Sequence, residues 1–396
     1  MVRNAQRQGL TIRRWDQCRY LGSRIVERSR ARLALLRPPS PRLLSLATAG
    51  FNGNLGDRAL HVGTAATLRH QGVVTRGICY SQAHRWSCGE RGLVMAGGEI
   101  GDNEHFRQLM AMQPDPQRCA VLGIGPTNAF LQNPDPDVLR YLSRLPLLAV
   151  RHGSGRRLLQ QLVQDAAPAA GHGDREVVSM PDLVFASYQR PRALADQHHS
   201  ERCIGINMLP LYLNLTRSGR FVLAEDLVPL LALSSPELDP EAAAQGYVRT
   251  MRRLLKRWRS QGYRILHCPF SPADAAFAAL VDPEAAPVSL WHSTCFNAML
   301  RRIARCELFV ATRFHAHVAA LIAGTPLISF ALAGKTMNLL QDLALPPGLN
   351  RNLLQHGGLG PDQVCQAPRL LLPPTRLEAL ALQAQSMLRA AAAVVS

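Results

Sequence analysis

The residues best suited to chemistry lie in the last third of the chain, where Arg313 and His315 follow a short apolar run at 308–310. Such a run predicts a buried strand, and the residues after it predict a helix. A second predicted strand, residues 326–330, ends shortly before Lys335, one of only two lysines in the chain. A guanidinium, an imidazole and an ammonium at neighbouring strand ends, beside a helix N-terminus, are typical of a polyanion site. The competing interpretation is an ordinary capped helix with a core histidine.

Metal binding has little support in the sequence. His315 and His317 form an H-x-H pair, but no third ligand of a kind that zinc uses stands nearby. The nine cysteines include no C-x-x-C pair, so neither a zinc site nor a disulfide framework is indicated. We expect no metal and a reducing compartment.

Glycine-rich loops follow three predicted strands of the first half, at residues 50–57, 96–103 and 123–126. Glycine lets the backbone approach a ligand closely, so these loops together predict a floor for a ligand such as a sugar. Their spacing fits neither the dinucleotide fingerprint nor the phosphate loop. Asp57 is either a helix N-cap or a substrate contact, and Glu99 is either a base or hydroxyl ligand or a solvated carboxylate.

Arg151 follows another predicted strand, residues 147–150, and is expected to project into a cleft. Ser154 is expected to cap the helix that follows. Asp182 either orients Arg151 or closes a turn.

Short apolar runs alternate with helix-length amphipathic segments from residue 43 onward. This alternation predicts parallel sheets with crossover helices. The predicted strands are residues 43–47, 93–96, 119–123 and 147–150 in the first half, and 203–206, 263–268, 288–291, 308–310 and 326–330 in the second, with helices at 247–260 and 294–305. The predicted fold class is α/β, with two Rossmann-like doubly wound domains facing a central cleft.

Four segments follow from this pattern. Residues 1–42 are a basic leader, helical or partly disordered, and residues 43–190 are the N-terminal Rossmann-like domain. Residues 203–345 are the C-terminal Rossmann-like domain, and residues 346–396 are a tail and a helix that pack back. We also expect a linker at 187–202 and an irregular lid or acceptor loop at 208–245.

The net charge of +17 is concentrated in residues 1–42, which hold eleven Arg against Asp16 and Glu27. A helix packed on the body, a partly disordered arm and a peripheral contact with anionic lipid all fit this leader.

The composition of the chain, with 47% hydrophobic and 18% charged residues, excludes a disordered or fibrous protein. No run is long and apolar enough to span a membrane, and no signal-peptide pattern is present, so we expect a cytoplasmic protein.

An ordered set of short motifs resembles the polysaccharide pyruvyl transferase family over about residues 43–345. The strongest part is Arg313-x-His315, followed by Gly324-x-Pro326 and then Lys335. The earlier motifs are Asn54-x-Gly56-Asp57, Gly97-Gly98-Glu99, Gly123-Ile124-Gly125-Pro126, Arg151-x-x-Ser154 and Pro181-Asp182.

The resemblance implies a fold like that of the two-Rossmann (GT-B) glycosyltransferases. It also implies transfer of pyruvate from phosphoenolpyruvate to sugar hydroxyls, with a ketal formed and phosphate released, in the synthesis of a polysaccharide such as an exopolysaccharide. Carried over by motif, Arg313 and His315 are the family's phosphoenolpyruvate-site pair and Lys335 is its lysine. With that reaction as a hypothesis, we expect the catalytic residues to be His315, Arg313 and Lys335, the phosphoenolpyruvate-binding residues to be Arg313, Lys335 and Arg151, and the acceptor-binding residues to be Asn54, Asp57, Gly98, Glu99 and Asp102. Phosphoenolpyruvate is the donor substrate, and the scheme needs neither a cofactor nor a metal.

Three departures from the family pattern leave the acceptor open. His152 follows Arg151 and Arg58 follows Asp57, where acidic residues are frequent in the family, and the second glycine-rich loop lacks a longer glycine run. Two alternative functions remain. A nucleotide-sugar glycosyltransferase on the same architecture would bind a diphosphate with the same cations. A basic binder of nucleic acid or another anionic polymer would show steep salt dependence, but it gives Arg313, His315 and Lys335 no purpose, so we expect no nucleic-acid partner.

Overall fold

The computed structural model describes residues 43–48, 54–79, 92–166, 176–188, 202–210, 213–215, 221–223, 239–285, 288–350 and 358–395, with six separate positions between 18 and 29. The chain forms two compact units. One, here called the N-terminal unit, comprises Arg24–Arg190 and Pro374–Ser396. The other, the C-terminal unit, comprises Met1–Ser23 and Pro191–Pro373. The linker expected at 187–202 lies almost entirely outside the described residues, as does most of the leader.

The N-terminal unit is built on a six-stranded parallel sheet. Its strands are β1 (Leu43–Thr48), β2 (Val74–Cys79), β3 (Leu93–Gly101), β4 (Cys119–Pro126), β5 (Leu147–Val150) and β6 (Val178–Ser179), in the order β2-β1-β3-β4-β5-β6. The two central strands β3 and β4 are buried almost throughout. Strands covered on both faces read as continuous apolar runs, which is why the sequence pattern found them.

Helices connect these strands and cover the sheet. They are α1 (Leu55–His70), α2 (Asn103–Met112), α3 (Asn128–Gln132), α4 (Pro136–Leu142) and α5 (Gly153–Asp165), with 3-10 turns at Pro116–Arg118 and Leu183–Ser187. The core between α2, α3 and the sheet contains Phe106 and Phe130, whose ring centroids lie 5.1 Å apart. Aromatic pairs at this spacing add to the stability gained by burial.

The last helix of the chain, Pro374–Val395, completes the N-terminal unit. Its buried face carries Leu380, Ala384 and Leu388 at helical spacing. The side chain of Gln385 donates to the carbonyl of Ala186 at 3.0 Å. A segment almost two hundred residues away in sequence therefore covers part of the first sheet.

The C-terminal unit repeats the architecture with a five-stranded parallel sheet. Its strands are β7 (Cys203–Ile206), β10 (Arg264–His267), β11 (Leu308–Ala311), β12 (Leu327–Ala331) and β13 (Leu349–Asn350), in the order β10-β7-β11-β12-β13. An antiparallel hairpin of β8 (Leu213–Leu215) and β9 (Phe221–Leu223) lies between β7 and the next helix in sequence.

The helices of the C-terminal unit are α6 (Pro240–Ser260), α7 (Pro272–Val281), α8 (Phe296–Ala304), α9 (Phe314–Ala323), α10 (Gly334–Asp342) and α11 (Pro361–Cys365), with 3-10 turns at Pro283–Ala285 and Trp291–Thr294. Tyr247 of α6 is fully buried and stacks on Phe277 of α7, with ring centroids 5.8 Å apart. These contacts join α6 and α7 in one core.

The α/β fold class is confirmed by the two parallel sheets. The strand expected at residues 288–291 is wrong: Val288 and Leu290 are buried, but in an irregular segment that leads into the turn Trp291–Thr294. Strand β2 was not predicted from the sequence, because the polar residues Thr75 and Arg76 interrupt its apolar run. The expected irregular insertion at 208–245 contains the β8–β9 hairpin and the first turns of α6.

No helix in the described part of the chain combines the length and the apolar character needed to cross a membrane.

Candidate functional site

Strands β11 and β12 are parallel neighbours, with Ala311 opposite Ser329. Arg313 lies two residues beyond the end of β11 and is the N-cap residue of α9. Lys335 lies four residues beyond the end of β12, in the first turn of α10. The two cations therefore follow adjacent strands at the carboxyl edge of one sheet, where ligands of open α/β sheets bind.

The guanidinium of Arg313 pairs with the carboxylate of Asp274 in the first turn of α7. Its Nε donates to Oδ2 of Asp274 at 2.7 Å, and its Nη2 donates to Oδ1 at 2.5 Å. Nη2 also donates to the Ser271 hydroxyl at 3.1 Å. The Arg313 side chain is 20% exposed, whereas that of Asp274 is 1% exposed. Arg313 thus reaches the surface from a buried anchor.

Asp274 is itself held by several donors at the N-terminus of α7. It accepts from the backbone N–H of Phe270 at 2.9 Å and from the Ser271 hydroxyl at 2.9 Å. The partial positive charge of a helix N-terminus also stabilises a carboxylate at this position. A buried carboxylate with this many donors is fixed in place, so it is a firm partner for Arg313.

Asn207, directly after β7, ties three strand ends together and is fully buried. Its Oδ1 accepts from the backbone N–H of Arg313 at 3.0 Å and from the Thr312 hydroxyl at 3.1 Å. Its Nδ2 donates to Asp274 at 3.3 Å and to the carbonyl of Cys268 at 3.1 Å. The main chain and the side chain of Arg313 are therefore both fixed by one network.

His315 lies in the first turn of α9 and is 7% exposed. Its ring meets that of Phe314 edge to face, with centroids 5.0 Å apart and planes at 85°. Packing of this kind limits the orientations of the imidazole. His315 is thus a restrained imidazole two residues from Arg313.

His317 has a structural role. It is fully buried, its Nδ1 lies 2.7 Å from the carbonyl oxygen of Arg313, and its Nε2 lies 2.8 Å from the Ser329 hydroxyl. A carbonyl can only accept, so Nδ1 carries the proton and Nε2 accepts from Ser329. Burial lowers the pKa of His317 to about 4, so the ring is neutral at pH 7. Because both nitrogens are occupied, the H-x-H pair is not arranged to bind a metal.

In the N-terminal unit, Asn54 rather than Asp57 caps α1. The Asn54 side chain accepts from the backbone N–H of Gly56 at 2.9 Å, and the helix begins at Leu55. Of the two alternatives for Asp57, the helix N-cap is therefore wrong. Asp57 is half-buried in the first turn, where a carboxylate interacts favourably with the helix dipole.

Two glycines with positive φ, Gly97 within β3 and Gly123 within β4, are explained by packing inside the unit. Gly97 has φ +62, and a Cβ there would lie 2.1 Å from a methyl carbon of Leu60. Gly123 has φ +60 and faces Leu183. The loops expected at 96–103 and 123–126 are largely wrong, because residues 96–101 belong to β3 and residues 123–126 belong to β4. Gly97 and Gly123 need glycine without any ligand, so these segments give weaker support for a sugar-binding floor than their sequences indicated.

Asp102 caps α2 and pairs with a histidine that the sequence analysis did not consider. It accepts from the backbone N–H of His105 at 2.9 Å, and its Oδ2 lies 2.7 Å from Nδ1 of His105. Both side chains are about one-third exposed. Gly98 has φ +91 and is buried, and Glu99 beside it is exposed.

Arg151 lies just beyond β5 and is almost completely buried. Its Nη1 donates to Oδ2 of Asp182 at 3.2 Å, and its Nε lies 3.1 Å from Nε2 of His152. Asp182 also accepts from the backbone N–H of Val184 at 2.9 Å, so it both pairs with Arg151 and closes a turn. Ser154 caps nothing, because α5 begins at Gly153 with His152 at the N-cap position.

The structure thus places Arg313, His315 and Lys335 at one sheet edge of the C-terminal unit. The remaining assigned residues lie within the N-terminal unit: Gly98 and Glu99 in the second half of β3, Asp102 and Arg151 just beyond β3 and β5, and Asn54 and Asp57 at the start of α1. Sequence reasoning missed Asp274 and Asn207, whose only local signals are a Ser-Pro-x-Asp helix start and an asparagine after a strand. Within the described residues, no group of three or more His, Cys, Asp or Glu side chains is placed to hold a metal ion.

Solved structures align with most of the chain at low identity and low TM-score. An uncharacterized protein from Klebsiella pneumoniae covers 83% of this chain and 97% of its own, with 11% identity and a TM-score of 0.37. A UDP-forming α,α-trehalose-phosphate synthase from Burkholderia vietnamiensis aligns over 89% of this chain and 96% of its own, with 11% identity and a TM-score of 0.40. The E. coli ADP-heptose LPS heptosyltransferase II aligns over 89% of this chain and 98% of its own, with 12% identity and a TM-score of 0.29. Similarities at this level say nothing about substrates.

No curated protein sequence matches the chain. The sequence model of one family does, over residues 54–333, which is more than two thirds of the chain. The matched region runs from the cap of α1 to the residue before α10, and it includes Arg313, His315, Asp274 and Asn207. The chain belongs to the polysaccharide pyruvyl transferase family.

Proposed function

We propose that this transferase moves the pyruvyl group of phosphoenolpyruvate onto two hydroxyls of a sugar, in the synthesis of a polysaccharide or its glycolipid precursor, forming a ketal and releasing phosphate. The observation that carries the proposal is the placement of Arg313 and Lys335 beyond two adjacent parallel strands, with His315 in the helix turn between them in sequence. The family membership supplies the pyruvyl group as the moiety transferred.

Phosphoenolpyruvate needs a site rich in cations because it carries both a phosphate and a carboxylate. The planar guanidinium of Arg313 suits either group, and Lys335 adds a second positive charge. The N-terminus of α9 contributes oriented N–H groups at the same edge. In this proposal Arg313 and Lys335 bind the phosphate and stabilise it as it leaves.

The reaction begins with proton transfer from His315 to the methylene carbon of phosphoenolpyruvate, which becomes the methyl group of the product. The adjacent carbon then carries oxocarbenium character, and one sugar hydroxyl attacks it. The bond from that carbon to the phosphate oxygen breaks, and phosphate leaves. A second hydroxyl closes the ketal, so the two hydroxyls give up two protons, one of which restores His315 and the other of which leaves with the phosphate.

We propose that the N-terminal unit binds the acceptor sugar. Of the residues assigned to this task, Asn54 and Asp102 already serve as helix caps, so Asp57 and Glu99 are the stronger candidates for contacts with hydroxyls. Arg151 is 3% exposed and paired with Asp182. This burial favours a role in holding together the segments that follow β5 and β6 over direct contact with the donor carboxylate.

The experiment that tests this function is product analysis in D₂O. Purified protein is incubated with phosphoenolpyruvate and a panel of free and lipid-linked oligosaccharides that carry diols. We expect phosphate release that requires the sugar, and an acid-labile ketal whose methyl group contains one deuterium by NMR and mass spectrometry. Phosphate release without sugar, or a sugar product without the pyruvyl methyl signal, would contradict the proposal.

A further inference from the structure

We infer that Asp274 is a positioning residue, which fixes the Arg313 guanidinium in the orientation that binds the anionic donor. The inference deepens the proposed function and rests on it only for the identity of that anion. It concerns a residue that neither the family motif nor the sequence pattern assigned to the site.

This role is supported by the way in which Asp274 contacts Arg313, along one whole edge of the guanidinium. Nε and Nη2 form one edge of the planar group, and both donate to Asp274, at 2.7 and 2.5 Å. A bidentate pair of this kind fixes the plane of the guanidinium as well as its position. An arginine held by a single contact would keep much of its rotamer freedom, which ligand binding would then have to restrict.

The support behind Asp274 is rigid. Ser271 caps α7 and bonds both Asp274 and Nη2 of Arg313. Asn207 bonds the Arg313 backbone N–H and the Asp274 carboxylate at once. Three strand ends and one helix N-terminus therefore determine where Arg313 points, and a site on rigid elements is held more accurately than one on a loop.

Charge gives a second reason for the pairing. Arg313 lies at the same sheet edge as Lys335, and like charges at one site repel. The Asp274 carboxylate offsets the charge of Arg313 before the anion arrives, so the site is stable when empty. Asparagine at position 274 would keep the shape but remove that charge and one of the two acceptor oxygens.

A double-mutant cycle tests the inference. The dissociation constant for phosphoenolpyruvate is measured by titration calorimetry or NMR for wild type, Asp274→Asn, Arg313→Ala and the double variant. We expect Asp274→Asn to weaken binding about tenfold in the wild-type background and less than twofold in the Arg313→Ala background, because its effect passes through Arg313. Equal losses in both backgrounds would overturn the inference, since a merely structural defect acts independently of Arg313.

Asp282→Asn is the matched control. Asp282 is also buried and lies at the other end of the same helix, where it pairs with Arg259 at 2.7 Å and its carboxylate lies 2.6 Å from Nε2 of His267. We expect this variant to lower thermal stability and leave the affinity for phosphoenolpyruvate unchanged. Loss of affinity there equal to that in Asp274→Asn would show that any buried ion pair of the unit has the same effect, and would overturn the assignment.

Arg313→Lys keeps the inference testable if Asp274→Asn does not fold. Lysine keeps the charge, but its single nitrogen cannot pair bidentately with Asp274 and also bind an anion. We expect at least a tenfold loss of affinity in a folded Arg313→Lys protein, and wild-type affinity in that variant would overturn the inference.

If the wild-type protein binds no phosphoenolpyruvate, the proposed function fails, and the same double-mutant cycle with inorganic phosphate decides the role of Asp274. Wild type that binds neither probe overturns both.

Discussion

At the scale of single residues, position and partner distinguish Arg313 from the other arginines. Arginine is by far the commoner basic residue here, since only two of the 45 basic residues are lysines. Arg313 differs from Arg107 and Arg140, whose own side chains are mostly exposed, because it is largely buried against a buried carboxylate. It differs from Arg151, whose partner is also buried, because its own side chain still reaches the surface. Surface ion pairs contribute little to stability, whereas a buried and hydrogen-bonded pair fixes geometry.

The sequence predicted Arg313, His315 and Lys335 as the centre of the site because each follows a recognisable strand. Asp274 gave no such signal. It lies 39 residues before Arg313, and the Ser271-Pro-x-Asp pattern around it is sufficiently explained as a helix start. A contact between distant segments depends on the packing of α7 against the end of β11, and no local spacing encodes that.

His315→Ala tests the proton donor. We expect turnover to fall at least a hundredfold while the dissociation constant for phosphoenolpyruvate changes less than threefold, because the imidazole acts on the vinyl carbon and the cations bind the anion. Steady-state kinetics and calorimetry on the same preparation separate the two effects. His70→Ala, at an exposed histidine of the N-terminal unit, is the control. Activity retained in His315→Ala would remove His315 from this role.

His317→Asn tests the neutral core histidine through the pH dependence of stability. The pKa of His317 is lowered from 6.5 to about 4 in the folded protein, so the unfolded chain binds the proton more readily. Its contribution is therefore fully present above pH 6.5 and is lost as the pH falls toward 4, amounting to about 2 kcal/mol between pH 7 and pH 5. We expect the free energy of unfolding by urea to fall by about that much less in the variant than in wild type over this range. An unchanged pH dependence would contradict the assignment.

At the scale of secondary-structure elements, the sequence pattern was most successful for the fully covered strands. β5 and β7 begin and end where the apolar runs do, at Leu147–Val150 and Cys203–Ile206. The two-residue strands β6 and β13 are too short for any pattern to mark them. The apolar run at 288–291 is the opposite case, in which the pattern predicts a strand that the structure does not contain. Burial of Val288 and Leu290 in an irregular segment produces the same apolar pattern.

Gly97→Ala tests the packing explanation for the glycine within β3. A methyl group there would overlap buried Leu60 and occupy a φ of +62, so we expect the free energy of unfolding to fall by about 2 to 4 kcal/mol. Gly72→Ala is the matched control, because its φ is +83 but nothing lies within 4 Å of the added carbon. There we expect a loss of about 1 kcal/mol from backbone strain alone. Equal losses at the two positions would show that Leu60 does not set the requirement.

At the scale of the whole molecule, the chain alternates between the two units, since its last helix returns to the first sheet. The sequence pattern assigned the two sheets but gave no sign of which unit would receive the helix Pro374–Val395. Its Ala and Leu face fits any apolar surface of suitable shape.

The basic leader is the remaining feature at this scale, and we propose that it binds the anionic face of a membrane. Of its described positions, Leu21, Ile25 and Val26 are 46%, 64% and 47% exposed, at helical spacing. Apolar side chains on a helix in an arginine-rich segment favour the interface of an anionic bilayer. Such a contact would bring the enzyme to a lipid-linked acceptor.

Vesicle flotation tests this contact. We expect the full chain to float with vesicles rich in phosphatidylserine or phosphatidylglycerol, and to float less as salt is raised. Deletion of residues 1–42, or Ile25→Glu with Val26→Glu, should abolish flotation and leave phosphoenolpyruvate affinity unchanged. Equal flotation of the deleted chain would contradict the proposal.

The most direct test of the central claim is calorimetric titration of the purified protein with phosphoenolpyruvate at about physiological salt, beside UDP-glucose and a GDP-sugar. We expect saturable binding of phosphoenolpyruvate alone, weakened in Arg313→Ala by about 1.5 to 3 kcal/mol for a charge-assisted contact, and unchanged in Arg253→Ala, an exposed arginine of the same unit. Binding of a nucleotide sugar instead, or phosphoenolpyruvate binding that does not depend on Arg313, would contradict the account.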